Sequence, residues 1–212
     1  MIKIIEDCSP FYIRFTHEGI EDLISLSSSF LPPIEELPTP YTHLKLPANQ
    51  VEQILDAVPL SKYITFNKSR VSAFISKGGL YYRAHKDGIN HRFSINYSIK
   101  VSDDKCITSW YSDEDCKDYN IDILYHKKGP LHKKGSSREC ENFDKSKHTP
   151  IKQMTARPLE CTLFNTDIFH DWDNSQSVNS RVILTLRAAA ETVGYIYFED
   201  VKKILYAMQM RE

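Results

Sequence analysis

Residues 79–96 read GLYYRAHKDGINHRFSIN, two strand-like runs that meet at a short polar junction. The first run ends with His85, Lys86 and Asp87, and a glycine follows. Side chains at positions i and i+2 of a strand point to the same face, so His85 and Asp87 project together while Lys86 faces the other way. An imidazole beside a carboxylate forms half of a metal site, and one such pair is weak evidence until the other half is found.

The alternation around this junction continues on both sides of it. Runs rich in β-branched and aromatic residues recur between Gly, Asn, Asp and Lys turns, which predicts a mainly β fold, a sandwich or a barrel. The predicted strands are RVSAFISK (70–77), LYYRAHK (80–86), HRFSINYSIK (91–100), CITSWYS (106–112), NIDILYH (120–126), LECTLFN (159–165), DIFHDW (167–172) and RVILTLRAA (181–189).

Helices are predicted on either side of the β region. Apolar residues recur at helical spacing in three segments, and Thr16 is the expected N-cap of the first. The prolines between the first two helices predict an irregular, extended loop. The helices are expected at 15–30, 48–60 and 197–210, and the loop at 31–47. We therefore expect one domain, 1–212, with a helical or irregular flank (1–69), a β core (70–190) and a C-terminal helix (191–212).

A basic segment interrupts the predicted strands between residues 126 and 148. It contains seven Lys or Arg against three acids and almost no apolar side chains, so it is expected to be an exposed insertion. A solvated loop, a lid over a site and a contact for an anionic partner all remain open for this segment.

Composition excludes several classes of function. With 27 Lys plus Arg against 28 Asp plus Glu, the net charge of -1 predicts no general attraction to nucleic acid or to acidic membranes. No signal peptide and no apolar run of membrane-spanning length is expected. The five cysteines are scattered without a CxxC pair, which indicates reduced thiols and a cytoplasmic protein. The oligomeric state cannot be read from the sequence.

The other half of the metal site is found near the end of the β region. His170 is predicted to end an apolar strand, and the turn-rich DNSQSVNS (173–180) leads to a strand that begins at Arg181. Two histidines and one carboxylate form the facial triad of non-haem ferrous oxygenases, which leaves coordination positions open. The sequence therefore predicts a metal site at His85, Asp87 and His170.

HKD at 85–87, His170 and Arg181 resemble the Fe(II)- and 2-oxoglutarate-dependent oxygenase superfamily, over roughly residues 71–189. The resemblance implies a double-stranded β-helix, also called a jelly roll or cupin-like barrel. FHDWDNSQSVNSRVILTLR (169–187) is similar to the closing segments of aspartyl/asparaginyl-type hydroxylases and of phage-encoded members. It also resembles the arginine strand of the DNA-dealkylating branch, but Ile183 stands where that branch has an asparagine.

The resemblance implies that His85, Asp87 and His170 bind Fe(II), and that 2-oxoglutarate is the co-substrate. The implied reaction is hydroxylation of an unactivated C–H bond in an amino acid, a protein side chain or a small metabolite, with release of succinate and CO2. Halogenating members of the superfamily have a small residue in place of the acid. Because Asp87 is present here, the resemblance implies that no ligand position is vacant for halide. A substrate in nucleic acid is possible but not favoured.

The 2-oxoglutarate site is expected on two strands. Arg181 and Thr185 share a strand face and are expected to bind the distal carboxylate, because a buried carboxylate needs a charged partner. Arg181 is expected to begin its strand near the metal end. Arg187 shares that face but lies about 20 Å further along the strand, so it is the less favoured alternative. Asn96 is expected to bind the inner carboxylate, and Arg92 the substrate.

Two other classes of function remain open. A cupin-like binding or assembly module would keep the barrel without turnover, but its sequence would be expected to lack part of the triad or the arginine. A metal-dependent isomerase or cupin dioxygenase without an oxo acid would carry more histidines close together.

Overall fold

The computed structural model describes residues 1–37, 39–87, 92–101, 103–116, 138–139, 143–188 and 196–210. The predicted strand at 120–126, and the basic segment except 138–139 and 143–148, lie outside these residues. So do residues 191–195 and 211–212 of the predicted C-terminal segment. Among the described residues, no helix is long and apolar enough to cross a bilayer.

Two antiparallel sheets face each other, which confirms the mainly β prediction. The larger sheet has seven strands: β1 (Ile2–Cys8), β2 (Tyr12–His17), β3 (Tyr41–Lys45), β4 (Ser72–Ser76), β6 (Phe93–Lys100), β10 (Cys161–Asn165) and β12 (Arg181–Leu186). The smaller sheet has five: β5 (Leu80–Lys86), β7 (Ile107–Trp110), β8 (Arg138–Glu139), β9 (Lys152–Thr155) and β11 (His170–Asn174). The larger sheet is ordered β1-β2-β10-β6-β12-β4-β3, and the smaller β8-β5-β11-β7-β9.

Among the described residues, three α-helices pack on the outer face of the larger sheet. They are α1 (Ile20–Ser29), α2 (Ala48–Ala57) and α3 (Phe198–Gln209). Their apolar faces, including Leu23, Ile54 and Val201, join Leu163 and Leu184 of the sheet in the main hydrophobic core. Each fully buried side chain of this size contributes about 1.5–3 kcal/mol to stability. The period-two pattern of β12 follows from this packing, since its apolar face meets the helices and its polar face meets the smaller sheet.

The N-terminal flank contains three strands that the sequence did not predict. β1 and β2 pair with each other, and β2 extends the larger sheet beside β10. β3 lies in the segment expected to be an irregular loop and pairs with β4. Thr16 belongs to β2 and does not cap α1, whose N-cap is Gly19 at φ 79°. Strands β8 and β9 were also missed.

The two turns at one end of the sheets pack against each other. Asn174, at the end of β11, donates hydrogen bonds from Nδ2 to the carbonyls of Lys77 and Asn179. A side chain at Gly78 would bring a Cβ to 2.5 Å from the carbonyl oxygen of Ser177, so only glycine fits there. This contact holds the start of β12, and therefore Arg181, at the end of the sheets where β11 finishes.

Candidate metal centre

Three predicted ligands converge at the other end of β5 and β11. Ligating atoms of His85, Asp87 and His170 all lie within 4.8 Å of one another. His85 and His170 are direct partners on antiparallel strands, with ring centroids 4.4 Å apart. Asp87 follows β5, and its backbone N–H donates to the carbonyl of Thr166 at 3.1 Å. The structure therefore brings the predicted triad together.

Both histidines present the same nitrogen to the centre of the triad. Nδ1 of His85 lies 3.0 Å from the carbonyl of Arg83, and Nδ1 of His170 lies 2.8 Å from the carbonyl of Ile168. A carbonyl only accepts, so each Nδ1 carries the proton and each Nε2 keeps a lone pair. Backbone partners of this kind hold metal-binding imidazoles in orientation.

The charge state of His170 also suits a metal. Burial, followed by the neighbouring His85, lowers the pKa of His170 to about 3. The imidazole therefore stays neutral across the physiological range, which is the form that binds metal ions. Protons do not compete for this nitrogen until the solution is strongly acidic.

Arg187 holds the carboxylate of the triad. Its Nη2 donates to Oδ2 of Asp87 at 2.9 Å, while Oδ1 of Asp87 lies 3.9 Å from Nε2 of His85. One oxygen is thus occupied by the guanidinium, and the other faces the histidines. The arrangement suits a carboxylate that offers one oxygen to a metal.

A second polar group lies at the opposite end of the same cavity. Arg181 is only 8% exposed, and its Nε and the hydroxyl of the neighbouring Ser76 are buried without a hydrogen-bond partner. Burial lowers the pKa of Arg181, and the nearby Cys106 opposes this shift. Tyr41 is the next residue across the sheet, directly opposite Ser76. Buried polar atoms without partners are costly, so this group is suited to an anion.

Asn96 and Thr185 line the cavity between these two ends. They are paired residues of β6 and β12, and Thr185 Oγ1 donates to Asn96 Oδ1 at 2.9 Å. The hydroxyl of Thr185 therefore donates to Asn96, whereas the sequence predicted that it binds the distal carboxylate. The bond leaves the amide nitrogen of Asn96 to donate to another group.

The cavity that contains these side chains has a volume of about 370 Å³. Its walls come from both sheets and include Trp172, two positions after His170. Arg92 is not among the lining residues, because both oxygens of Asp167 accept hydrogen bonds from its Nη1 at 2.7 and 2.8 Å. The lining comprises Tyr41, His43, Arg70, Phe74, Ser76, Tyr82, His85, Asp87, Ser94, Asn96, Thr108, Phe164, Thr166, His170, Asp171, Trp172, Arg181, Ile183, Thr185 and Arg187.

Two expectations about β12 were wrong. Arg181 was placed near the metal end and Arg187 too far away, yet Arg187 is the residue that contacts Asp87. The reason is that His170 begins β11 and does not end a strand, so the chain runs away from the triad before it turns. β12 therefore starts at the far end and returns toward the metal site, and both arginines line one cavity.

The sequence reasoning also missed Tyr41 and Ser76. Ser76 shares its strand face with Phe74, and the alternation of the run 70–77 could have identified it. Tyr41 lies in the proline-rich segment 31–47. The alternation in YTHLK (41–45) was the available signal for a strand, but the flanking prolines favoured a loop.

The sequence matches no family model and is similar to none of the curated proteins searched. Solved structures are similar in shape. EvdO2 from Micromonospora carbonacea var. aurantiaca aligns over 94% of this chain and 98% of its own, with 11% identity and a TM-score of 0.52. This likeness shows a shared fold.

Two further structures align at lower scores. The non-heme α-ketoglutarate-dependent carbocyclase SnoK, from nogalamycin biosynthesis, has a TM-score of 0.48 and 10% identity over 84% of this chain and 80% of its own. HygX from Streptomyces hygroscopicus, solved with nickel and 2-oxoglutarate bound, has a TM-score of 0.48 and 8% identity over 83% and 81%.

Proposed function

We propose that this protein is an Fe(II)- and 2-oxoglutarate-dependent oxygenase. The observation that carries the proposal is the pairing, in one cavity, of the His85/Asp87/His170 triad with a buried arginine whose Nε has no partner. A triad alone suits several metals. A distant anion site in the same cavity suits a co-substrate with a metal-chelating end and a carboxylate at the other end.

The order of the strands supports a double-stranded β-helix. From β4 to β7, successive strands alternate between the larger and smaller sheets, and they do so again from β9 to β12. The central order is β10-β6-β12-β4 in one sheet and β5-β11-β7-β9 in the other. Two interleaved four-stranded sheets of this kind form a jelly roll.

The triad supplies the chemistry expected of the metal. His85 and His170 would bind Fe(II) through Nε2, and Asp87 through Oδ1. Three such ligands on one face leave the remaining positions for a co-substrate and dioxygen. Bound iron would supply oxidative decarboxylation of 2-oxoglutarate to succinate and CO2, coupled to oxidation of a substrate C–H bond.

The remaining polar residues would bind 2-oxoglutarate. Arg181 and the Ser76 hydroxyl would bind the distal carboxylate, which gives both buried groups a partner. Asn96 would donate from its amide nitrogen to the oxo-acid end, since Thr185 occupies its oxygen. Arg187 would hold Asp87 in position, and burial between the sheets would exclude water from the distal carboxylate.

Hydroxylation is the outcome we propose, since Asp87 completes the triad. A small molecule or a protein side chain is the proposed substrate. Two expectations stay predictions. One is that the protein belongs with the aspartyl/asparaginyl-type or phage-type hydroxylases, from the similarity of residues 169–187, and the other is its cytoplasmic location.

Uncoupled turnover tests the proposal without knowledge of the substrate. The Fe(II)-loaded protein is incubated with 2-oxoglutarate and dioxygen, and succinate is measured. We expect succinate from the wild type and from the control Asp104→Asn, an exposed acid outside the cavity lining, but not from Asp87→Ala. No succinate from any of the three, or equal amounts from all, would contradict the proposal and favour a non-catalytic binding module.

A further inference from the structure

One side of the cavity is lined by aromatic rings that the oxygenase chemistry does not require. Tyr41, Phe74, Tyr82 and Trp172 come from four different strands and are all only partly buried. We call these four residues the half-buried cluster. Tyr82 and Trp172 stack with centroids 5.8 Å apart and planes 9° from parallel, and Tyr41 lies within 5.8 Å of both.

The half-buried cluster reaches the metal site directly. The ring of Tyr82 stands edge-on to that of His85, with centroids 4.8 Å apart. At the other side, the ring of Phe74 lies 6.0 Å from the guanidinium carbon of Arg187, which in turn contacts Asp87. A molecule held against these rings would therefore lie beside the triad and against partly exposed side chains.

The charges around the rings are mostly positive. Of the five arginines and aspartates in the lining, Arg187 pairs with Asp87, and Asp171 accepts bonds from the Ser109 N–H and the Tyr111 hydroxyl. Arg181 is the proposed partner of 2-oxoglutarate. This leaves Arg70, an exposed side chain with no hydrogen bond or ion pair to any part of the chain that the structure describes.

His43 links this arginine to the rings. Its imidazole stacks on Phe74 with centroids 4.5 Å apart and planes 5° from parallel. His43 and Arg70 both line the cavity, and Arg70 is close enough to add to the effect of burial in lowering the pKa of this imidazole. A planar aromatic ring gains from stacking on such rings, and an attached anion gains from the arginine.

We propose that the substrate is a small aromatic acid, whose ring packs on the half-buried cluster and whose carboxylate or phosphate pairs with Arg70. This rests on the proposed function, because it assigns 2-oxoglutarate to Arg181 and leaves the ring-lined side of the cavity to the substrate. A neutral aliphatic or a cationic substrate would use neither feature.

Binding tests the proposal without turnover. The Zn(II)-loaded protein with saturating 2-oxoglutarate is titrated with phenylpropionate and naphthoate. Each acid is compared with its amide, which removes the charge, and with its ring-saturated counterpart, which removes the aromatic face. Calorimetry gives the affinities. Fluorescence follows the quenching of Trp172, and the variant Trp172→Phe gives the signal of the other tryptophan, Trp110, alone.

We expect at least one aryl acid to bind about three- to fivefold more tightly than its amide, as for a solvent-accessible ion pair. Arg70→Gln should abolish that difference, whereas Lys68→Gln, a neighbouring exposed cation paired with Glu52, should keep it. Tyr82→Leu should reduce the preference for the aryl over the saturated ring, about threefold or more. Tyr63→Leu, an exposed tyrosine outside the cavity lining, is its control.

The inference is wrong if no aryl acid binds, if amides or saturated acids bind as tightly, if Arg70→Gln keeps the preference, or if the acids displace 2-oxoglutarate. Affinity for 2-oxoglutarate, measured in the same samples, separates the two proposals. Normal 2-oxoglutarate binding with no aryl-acid preference overturns only the substrate class, whereas absence of 2-oxoglutarate binding overturns the oxygenase as well.

Discussion

The two sides of the gap between the sheets use the same kinds of side chain for different purposes. On one side, Tyr12 and Trp110 stack at 5.3 Å and 22°, both 1% exposed or less, with Phe164 and Met154 packed on them. We call these four residues the buried cluster. On the other side, the half-buried cluster stacks in a similar way but stays in contact with solvent.

The difference shows where the fold closes and where it stays open. Strands β1 and β2 extend the larger sheet on the side of the buried cluster, so its rings are covered. The opposite edge ends at β3, and the rings there line the cavity. The triad lies between them, since His170 contacts Phe164 of the buried cluster and His85 contacts Tyr82 of the half-buried cluster.

The largest expected effect separates the two tryptophans. Trp110→Ala should lower the free energy of unfolding by about 3–5 kcal/mol, because it leaves a cavity in a closed core. Trp172→Ala should cost about half of that or less, since its ring is partly solvated already. Urea denaturation of the metal-free protein, with m-values compared, measures both. Equal losses would remove the distinction between the clusters.

The next effect concerns the triad itself. His170→Ala should weaken Co(II) binding by more than about 100-fold, because one of three ligands is lost. Loss of a group that only hydrogen-bonds to a ligand already costs about 10- to 100-fold. His148→Ala is the matched control, since this partly buried imidazole pairs with Asp115 away from the cavity. Calorimetric titration measures the affinity, and an unchanged affinity in His170→Ala would contradict the assignment.

The two arginines of β12 should give different losses. Arg181→Gln should weaken 2-oxoglutarate binding by at least about 30-fold while metal affinity stays unchanged, because a buried charge pair is lost. Arg187→Gln should weaken metal binding by about tenfold through misplacement of Asp87. Metal and co-substrate titrations of both variants measure this. The reverse pattern would favour Arg187 as the 2-oxoglutarate ligand.

The smallest expected effect tests the charge beside the half-buried cluster. Partial burial, then Arg187, Lys45 and Arg70, lower the pKa of His43 below its ordinary value. A lowered folded-state pKa means that stability from this group is present above the ordinary pKa and falls as the pH decreases below it. Arg70→Gln should raise the pKa of His43, because loss of a nearby positive charge favours the protonated imidazole. NMR titration of His43 measures this. No change would mean that Arg70 does not face the rings.

The triad was predictable because each half of it is marked by a pattern within a short stretch of sequence. His85 and Asp87 share a strand face by alternation, and a histidine followed by an arginine strand completes the pattern. The mainly β class and the helices α1, α2 and α3 were predictable for the same reason, since periodicity reports which face is buried.

The direction of β12 relative to the triad, and the pairing of strands that are distant in sequence, were not predictable in this way. The order of Arg181 and Arg187 along the cavity depends on whether His170 begins or ends a strand, and periodicity does not fix strand ends. β1, β2 and β3 owe their place to pairing with strands far along the chain, such as Leu163 opposite Ile13. Tyr41 and Ser76 meet Arg181 only through that pairing.

Anaerobic titration of the Fe(II)-loaded protein with 2-oxoglutarate tests the central claim most directly. The account predicts a weak visible metal-to-ligand charge-transfer band that saturates with one equivalent of 2-oxoglutarate. The band should be absent in Asp87→Ala and should require much more 2-oxoglutarate in Arg181→Gln. Absence of the band in wild-type protein with fully loaded iron would contradict the claim that the triad and Arg181 hold one metal and one oxo acid.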